Sequence, residues 1–193
     1  MFKSLQALAL LILLLICGLV AYAYSGLYDV SAMSPDGAVL RWLTGTVRRH
    51  SIHARLDAIT VPVLTDPVMV EQGFDHYHEM CEGCHLAPGI EDSELRSGLN
   101  PQPPLLYKTV PHSSPAELFW TVKNGIKMTG MPAWGVTHDD AKIWAIVAFL
   151  EQLPKMTPEQ YQAMAKNSSD VEMDHDTAPA KKPDKRRMPR ERP

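Results

Sequence analysis

The chain has 193 residues, of which 45% are hydrophobic, and its formal net charge is −3. This length allows one modest domain with additional segments. The charge argues against nucleic-acid binding, which requires a strongly basic domain.

The first predicted element is an apolar helix at the N-terminus. Residues 5–24 contain no charged side chain, Lys3 precedes them, and about 20 apolar residues suffice to cross a bilayer. A cleaved signal peptide is the alternative, because Ala21, Tyr22 and Ala23 resemble a cleavage site. The apolar cores of signal peptides are shorter, however, so we predict a retained transmembrane anchor over residues 1–24.

Residues 25–66 are predicted to form a juxtamembrane connector with a helix over residues 38–58. Trp42 and Leu43 lie near the start of this helix. Its basic residues are Arg41, Arg48, Arg49 and Arg55. A basic strip beside a membrane often contacts anionic head groups, although a solvated helix face explains it equally well. We interpret His50 and His53, three residues apart, as surface histidines.

The next helix is predicted to begin at Asp66 and Pro67, because aspartate is a good N-cap and proline fits the first helical position. Gly73 and Tyr77 are four residues apart and therefore lie on one face. A glycine at that place permits the close approach of another helix, and the neighbouring aromatic ring fills the contact.

This helix leads into Cys81, Glu82, Gly83, Cys84 and His85, which form the C-x-x-C-H signature of c-type haem attachment. Two thiols on one helical turn reach the two vinyl groups of a porphyrin, and the following histidine offers a nitrogen to the iron.

Two other interpretations of the paired cysteines are weaker. A zinc site would need further ligands at suitable spacing, and the only other cysteine is the distant Cys17. A thioredoxin-like site would need a βαβ pattern, which is missing from the sequence. We therefore predict one haem c per chain, covalently attached at Cys81 and Cys84, with His85 as an iron ligand.

The haem motif also predicts the orientation of the chain in the membrane. Covalent haem attachment in bacteria takes place outside the cytoplasmic membrane, so a single-pass protein would have its haem domain on the periplasmic side. The arginines of the connector argue for the opposite orientation, because positive residues are enriched in cytoplasmic loops. We give the haem motif precedence over this count.

Two further helices and long loops are predicted to complete the haem domain, which spans residues 67–155. Ser114 caps a helix that ends at Gly125. Thr137 and Asp140 form a capping box for the last helix. No segment alternates like a strand, so the sequence predicts an all-α domain.

The loop between these two helices is predicted to supply the sixth iron ligand. Met131 lies in a loop rich in glycine and proline, where no apolar stripe explains a methionine, and Pro132 stiffens the chain beside it. A thioether is a soft ligand that favours reduced iron. Met128 is the rival candidate, and His112 and His138 are less favoured alternatives.

The segment from about Pro67 to Pro154 resembles the class I c-type cytochromes with one haem. The matching features are Gly73, Tyr77, Cys81, Cys84, His85, Met131, Pro132, Ala133, Trp144, Phe149 and Leu150. The methionine loop over residues 130–135 and the connector over residues 28–51 resemble those of membrane-anchored bacterial members.

This resemblance implies helices packed around the haem, axial ligation by His85 and Met131, and electron transfer. It also implies that a proline carbonyl accepts the second ring N–H of His85, a bond that orients the imidazole. Of Pro103 and Pro104, the resemblance favours Pro103.

Residues 156–193 are predicted to form a short helix and a disordered, charged tail. From Ala165 onwards the sequence is rich in Asp, Lys, Arg and Pro and has no aromatic residue. Residues 69–155, by contrast, contain eleven acidic and six basic residues. An acidic haem domain favours a partner that presents a basic patch.

Iron with both axial positions filled has no place for a substrate, so the sequence favours electron transfer over catalysis. We predict a membrane-tethered cytochrome that passes single electrons between periplasmic or membrane redox proteins. One alternative is a haem-bearing subunit of a dehydrogenase or oxidase complex. Another is a haem enzyme or gas sensor in which the methionine ligand is displaced.

Overall fold

The computed structural model describes residues 2–175, and side chains up to residue 168. The α-helices in this range are α1 (Phe2–Tyr24), α2 (Ala38–His53), α3 (Pro67–Met80), α4 (Glu82–His85), α5 (Glu94–Ser97), α6 (Leu106–Thr109), α7 (Pro115–Asn124), α8 (Asp140–Leu150) and α9 (Pro158–His175). No strand occurs between residues 2 and 175, so the predicted all-α class is confirmed. The disorder predicted for residues 176–193 lies outside the described residues.

Helix α1 stands apart from the rest of the chain, with none of its 23 residues buried. It is long and apolar enough to cross a membrane, a criterion that an N-terminal signal sequence also meets. Helix α2 ends at His53, several residues before the predicted end at residue 58.

Local capping rules explain where α3 and α7 begin. The Asp66 carboxylate accepts a hydrogen bond from the backbone N–H of Val68 at 2.9 Å, with Pro67 in the first helical position. The Ser114 hydroxyl oxygen accepts one from the N–H of Glu117 at 3.2 Å. Each bond satisfies a backbone donor that has no partner within its helix.

The predicted capping box at the start of α8 is wrong. Asp139 is the N-cap, and its carboxylate accepts from the N–H of Lys142 at 3.0 Å. Thr137 instead follows the 3₁₀ turn Trp134–Val136, and its hydroxyl donates to the Trp134 carbonyl at 3.3 Å. Because the Thr137 hydroxyl is bonded to this turn, it does not cap the helix. The helix begins at Asp140, later than a capping box at Thr137 would place it.

Helices α3 and α8 form the centre of the domain, and Gly73 allows them to touch. A Cβ atom on Gly73 would lie 1.9 Å from the Ala145 carbonyl oxygen and 2.9 Å from the Phe149 Cβ. One turn further on, the fully buried Tyr77 ring packs 5.2 Å from that of Phe149. Both expectations for this face, close helix approach and an aromatic contact, are confirmed.

Helix α9 packs on the domain whose predicted end was residue 155. Tyr161 is buried, and its ring centroid lies 5.3 Å from that of Phe74. Thr157 and Gln160 exchange side chain-to-backbone hydrogen bonds that start the helix. A short helix capped at Thr157 and Gln160 agrees with the sequence, but the helix continues to His175, past Ala165 where disorder was predicted, because composition did not register the burial of Tyr161.

The connector is docked on the haem domain. Ile52 of α2 is buried, and α2 contacts α7. Further along, Ile59 and Leu64 pack against the core. The Asn100 side-chain amide donates to the Ser34 carbonyl at 3.0 Å, which joins the start of the connector to a loop of the domain.

We expect Gly73→Ala to lower the free energy of unfolding of the holoprotein by about 1–3 kcal/mol, because the added methyl group forces α3 and α8 apart. Guanidinium titration of the full chain in detergent measures this change. Gly45→Ala in α2 is the matched control, since a Cβ there meets no atom within 4 Å. An equal loss for both variants would contradict the close-contact explanation.

Candidate haem site

The C-x-x-C-H segment forms one wall of an apolar cavity. Cys81 interrupts the helix between α3 and α4, with φ −110°. Its carbonyl oxygen accepts the backbone N–H groups of Cys84 at 3.1 Å and of His85 at 2.8 Å. This single turn brings all three side chains into the cavity lining.

The cavity has an empty volume of about 620 Å³, including the space at its mouth. Helices contribute Tyr77, Met80, Leu106, Val122, Ile146 and Leu150 to its walls, and the loops contribute Pro101, Pro103, Thr129, Gly130, Met131, Pro132 and Trp134. Most of these side chains are apolar, so the cavity suits a largely apolar group.

His85 is oriented by a hydrogen bond from its Nδ1 to the carbonyl oxygen of Pro104, 2.9 Å away. The ring therefore carries its proton on Nδ1 and keeps the Nε2 lone pair for a metal. Burial lowers the pKa of His85, although the bond to Pro104 opposes this change. Burial favours the neutral imidazole, and the bond to Pro104 leaves its Nε2 free to ligate a metal.

The preference for Pro103 as the acceptor of this bond is wrong. The structure places the accepting carbonyl one residue later, at Pro104, while Pro103 lines the cavity. Successive carbonyls of an extended chain point in different directions. When the Pro103 ring faces the cavity, it is therefore the carbonyl of the next residue, Pro104, that points at the imidazole. A contact between Pro103 and the haem stays a prediction.

The methionine loop is closed by its own backbone, which directs Met131 to the cavity. Gly125 has φ +64°, and a Cβ there would lie 2.6 Å from the Pro132 carbonyl carbon. The N–H of Ile126 donates to the Met131 carbonyl at 3.2 Å. The Thr129 hydroxyl donates to the Ile126 carbonyl at 2.8 Å and accepts the Met131 N–H at 3.1 Å.

The rival ligands do not line the cavity. The Met128 side chain is 100% exposed on a residue with positive φ. His112 is exposed, and His138 packs edge-on against the ring of His76 at 5.4 Å. The structure thus brings together Cys81, Cys84, His85 and Met131, whose roles as haem ligands and attachment points stay predictions.

The donor set in this cavity fits a covalently attached haem. Cys81 and Cys84 would form the thioethers, and His85 and Met131 would coordinate the iron. Burial raises the pKa of the Cys81 thiol to about 12, and the pKa of Cys84 is also raised. Both sulfurs are therefore neutral thiols in the chain before attachment.

Tyr77 has a polar role that the sequence analysis missed. Its hydroxyl donates to the Leu86 carbonyl oxygen at 2.5 Å, although Tyr77 is fully buried. Leu86 follows His85 and has φ +56°, so this bond holds a strained turn directly after the predicted ligand. Burial raises the pKa of Tyr77, which keeps the phenol protonated as a donor. A tyrosine rather than a phenylalanine at a core position indicates that its hydroxyl has a hydrogen-bond partner, and this signal was present in the sequence.

Glu82, between the two cysteines, is also held by two groups, one near and one far along the chain. The Tyr161 hydroxyl donates to Glu82 Oε2 at 2.5 Å, and His78 Nδ1 lies 2.5 Å from the same oxygen. These contacts join α9 to the attachment helix. No sequence pattern relates Tyr161 to Glu82, because 79 residues separate them.

Comparison with known families supports the assignment of the site. Residues 68–150 match the family described as cytochrome c oxidase, cbb3-type, subunit III. The matched segment extends from the first turn of α3 to the end of α8 and contains every residue that lines the cavity. No curated protein matches the chain.

We expect Tyr77→Phe to lower the free energy of unfolding by about 1–3 kcal/mol, because the Leu86 carbonyl loses its donor inside the core. The measurement is guanidinium unfolding of the holoprotein, followed by haem absorbance. Tyr107→Phe is the control, because no hydrogen bond of the Tyr107 hydroxyl occurs within the described residues. A Tyr77→Phe variant as stable as the control would show that the Leu86 bond contributes nothing.

Proposed function

Since residues 68–150 of this chain belong to the class I c-type cytochromes, a monohaem family, we propose that the protein is a membrane-tethered electron carrier with one haem c. The family implies covalently bound haem c and an electron carrier rather than an enzyme. The proposed role is the transfer of single electrons between redox proteins at the periplasmic face of the membrane.

The placement of two ligand side chains in one cavity is the observation that carries this proposal. His85 and Met131 come from opposite ends of the domain sequence and both line the same apolar space. With both bound, the iron has no position for a substrate or for oxygen. Such a site performs outer-sphere electron transfer and no bond-making chemistry.

The surrounding residues adjust the redox couple that the haem supplies. The bond from His85 to the Pro104 carbonyl makes the imidazole a stronger electron donor. The soft sulfur of Met131 favours the reduced state, which raises the reduction potential. The apolar walls keep water away from the site and so disfavour the extra positive charge of the oxidised state.

The charge of the domain supports a basic partner surface. Residues 69–155 contain eleven acidic and six basic side chains, an excess of five acidic ones. Complementary charge speeds the encounter of redox partners and selects among them. We infer that the donor, the acceptor or both dock through lysines and arginines.

The proposed location combines the haem with helix α1. Covalent haem attachment in bacteria takes place outside the cytoplasmic membrane, so the domain would face the periplasm. Helix α1 has 23 residues, and the mean hydropathy of its most apolar 18-residue window is 2.6, so it has the length of a single transmembrane span. We propose that it is retained as the anchor, with a cleaved signal peptide as the competing possibility.

We expect Met131→Ala to open the iron to CO, because the variant lacks the sixth ligand, whereas the unaltered protein binds no CO. Met131→His should lower the reduction potential, because a harder ligand replaces a soft one that favours ferrous iron. The measurements are a CO difference spectrum and a redox titration of the full chain.

Met128→Leu is the matched control, since it removes a thioether from a fully exposed side chain of similar volume in the same loop. It should change neither result. CO binding by Met128→Leu but not by Met131→Ala would reverse the ligand assignment. CO binding by the unaltered protein would instead favour a gas sensor or haem enzyme.

A second candidate function is an electron-transfer subunit of an oxidase or dehydrogenase complex. The description of the matched family, a subunit of a cytochrome c oxidase, favours this candidate. In such a complex the anchor would serve assembly, and the haem would pass electrons to a fixed neighbour.

Affinity purification of the tagged chain from mild detergent extracts of its native membrane distinguishes the two functions. We expect a free carrier to elute with no stoichiometric partner, because its encounters with redox proteins are brief. Recovery of an oxidase or dehydrogenase subunit in fixed stoichiometry, stable to raised salt, would favour the complex instead. Purification of the chain with α1 replaced by a cleavable signal peptide, which still exports the haem domain, serves as the control for contacts made through the anchor.

A further inference from the structure

Helix α2 exposes a row of large apolar side chains, which we call the outer face. It consists of Val39, Trp42, Leu43 and Val47, which are 77%, 66%, 49% and 59% exposed. Their spacing places them on one side of a helix. A contiguous apolar surface next to arginines marks a surface that is covered in the working protein.

The opposite side of α2 docks on the haem domain near the end of the helix, through Ile52, while Arg41 and Arg48 on that side stay exposed. Ile52 is 5% exposed and lies nine residues after Leu43, which is two and a half helical turns and therefore half a rotation away. The four side chains of the outer face remain exposed after the helix has docked on the domain, while Thr46 between them is half-buried. Any cover for the outer face must come from outside the described chain.

The charge on α2 is of one sign. Arg41, Arg48 and Arg49 belong to the helix, and no acidic residue occurs between Asp36 and Asp57. Guanidinium groups form paired hydrogen bonds with phosphate oxygens. The helix therefore combines an apolar face that carries tryptophan with cations suited to phosphate.

The outer face also lies close to helix α1 along the chain. Residues 25–37 link Tyr24 to Ala38, and 13 residues reach at most about 45 Å when fully extended. The link is folded, because the Asp29 carboxylate accepts the N–H of Ser31 at 2.9 Å and the Tyr28 hydroxyl lies 3.3 Å from the Asp36 carboxylate. A chain anchored through α1 therefore keeps α2 near the membrane surface.

We propose that α2 lies flat in the periplasmic surface of the cytoplasmic membrane. Its outer face lies among the phospholipid acyl chains, and its arginines bind lipid phosphates. This inference rests on the anchored form of the proposed function. In this position Ile52 and the contact between Asn100 and Ser34 connect the haem domain to a helix fixed on the bilayer. The connector thereby sets the orientation of the haem relative to the membrane.

Phospholipid fits the outer face better than a protein does. Helices that lie in the interface combine aliphatic and tryptophan side chains on one side with Lys or Arg on the other, as α2 does. The net negative charge of residues 69–155 adds a second constraint, since an anionic bilayer attracts α2 and repels the domain that it carries. The two charges together favour a domain that faces away from the lipid.

Spin-label depth measurement on the full chain tests this position. The chain, with haem attached and Cys17→Ser to remove the remaining thiol, is reconstituted into vesicles of equal parts phosphatidylcholine and phosphatidylglycerol. A nitroxide is attached at Leu43→Cys or at Thr44→Cys, which lies one residue further and about 100° around the helix. We expect the ratio of collisions with oxygen to collisions with a nickel chelate to be several-fold higher at position 43.

Three results would overturn the proposal. Equal, water-like ratios at both positions, in a chain that sediments with the vesicles, would refute the interfacial helix and leave the proposed tether standing. If position 43 collides slowly with both oxygen and the nickel chelate, and does so only at a high protein-to-lipid ratio, a second copy of the chain covers the outer face. A chain that does not sediment with vesicles would refute the tether together with the interfacial helix.

Linear dichroism of the haem absorption in flow-aligned vesicles tests the orientation directly. We expect a clear signal from the unaltered chain and from Thr44→Glu, and a several-fold smaller signal from Trp42→Glu, whose carboxylate resists burial in lipid. The haem absorption spectrum should be the same in all three, which excludes damage to the site. An unchanged dichroism in Trp42→Glu would overturn the claim that α2 orients the domain.

Discussion

The contact between α3 and α8 at Gly73 is the constraint on which the haem site depends. The absence of a side chain lets the α3 backbone rest on the Ala145 carbonyl, and this approach places Tyr77 within the core. Tyr77 then lines the cavity with its ring and holds the Leu86 carbonyl with its hydroxyl. Because Leu86 directly follows His85, the predicted iron ligand, the packing of two helices determines where the C-x-x-C-H turn can lie.

The two predicted iron ligands are held by different means. His85 is part of a helical turn and is oriented by a carbonyl from a proline-rich loop. Met131 belongs to a loop that closes on itself through backbone and threonine hydrogen bonds and the tight turn at Gly125. Both arrangements hold the predicted ligand in place, so little protein structure would have to move when a bound iron changed its charge. This economy of movement suits a carrier of single electrons.

The connector and the haem domain carry opposite charge, which matches the different surfaces that we propose they contact. The connector helix is basic and exposes apolar side chains, whereas residues 69–155 are acidic. In our proposals the first surface meets lipid and the second meets a basic redox partner. Helix α9 extends the domain beyond the family match, because Tyr161 packs on Phe74 and donates to Glu82 of the attachment motif.

The sequence by itself determined the features that depend on neighbouring residues. The C-x-x-C-H spacing, the caps at Asp66 and Ser114, and the pairing of Gly73 with Tyr77 all act within one or two turns of helix. Tertiary structure alone decided that Pro104 rather than Pro103 accepts the His85 N–H, that Asp139 caps α8, and that Tyr161 reaches Glu82. The physical reason is that these choices depend on the path of loops and on contacts between residues far apart in the chain, which no local pattern records.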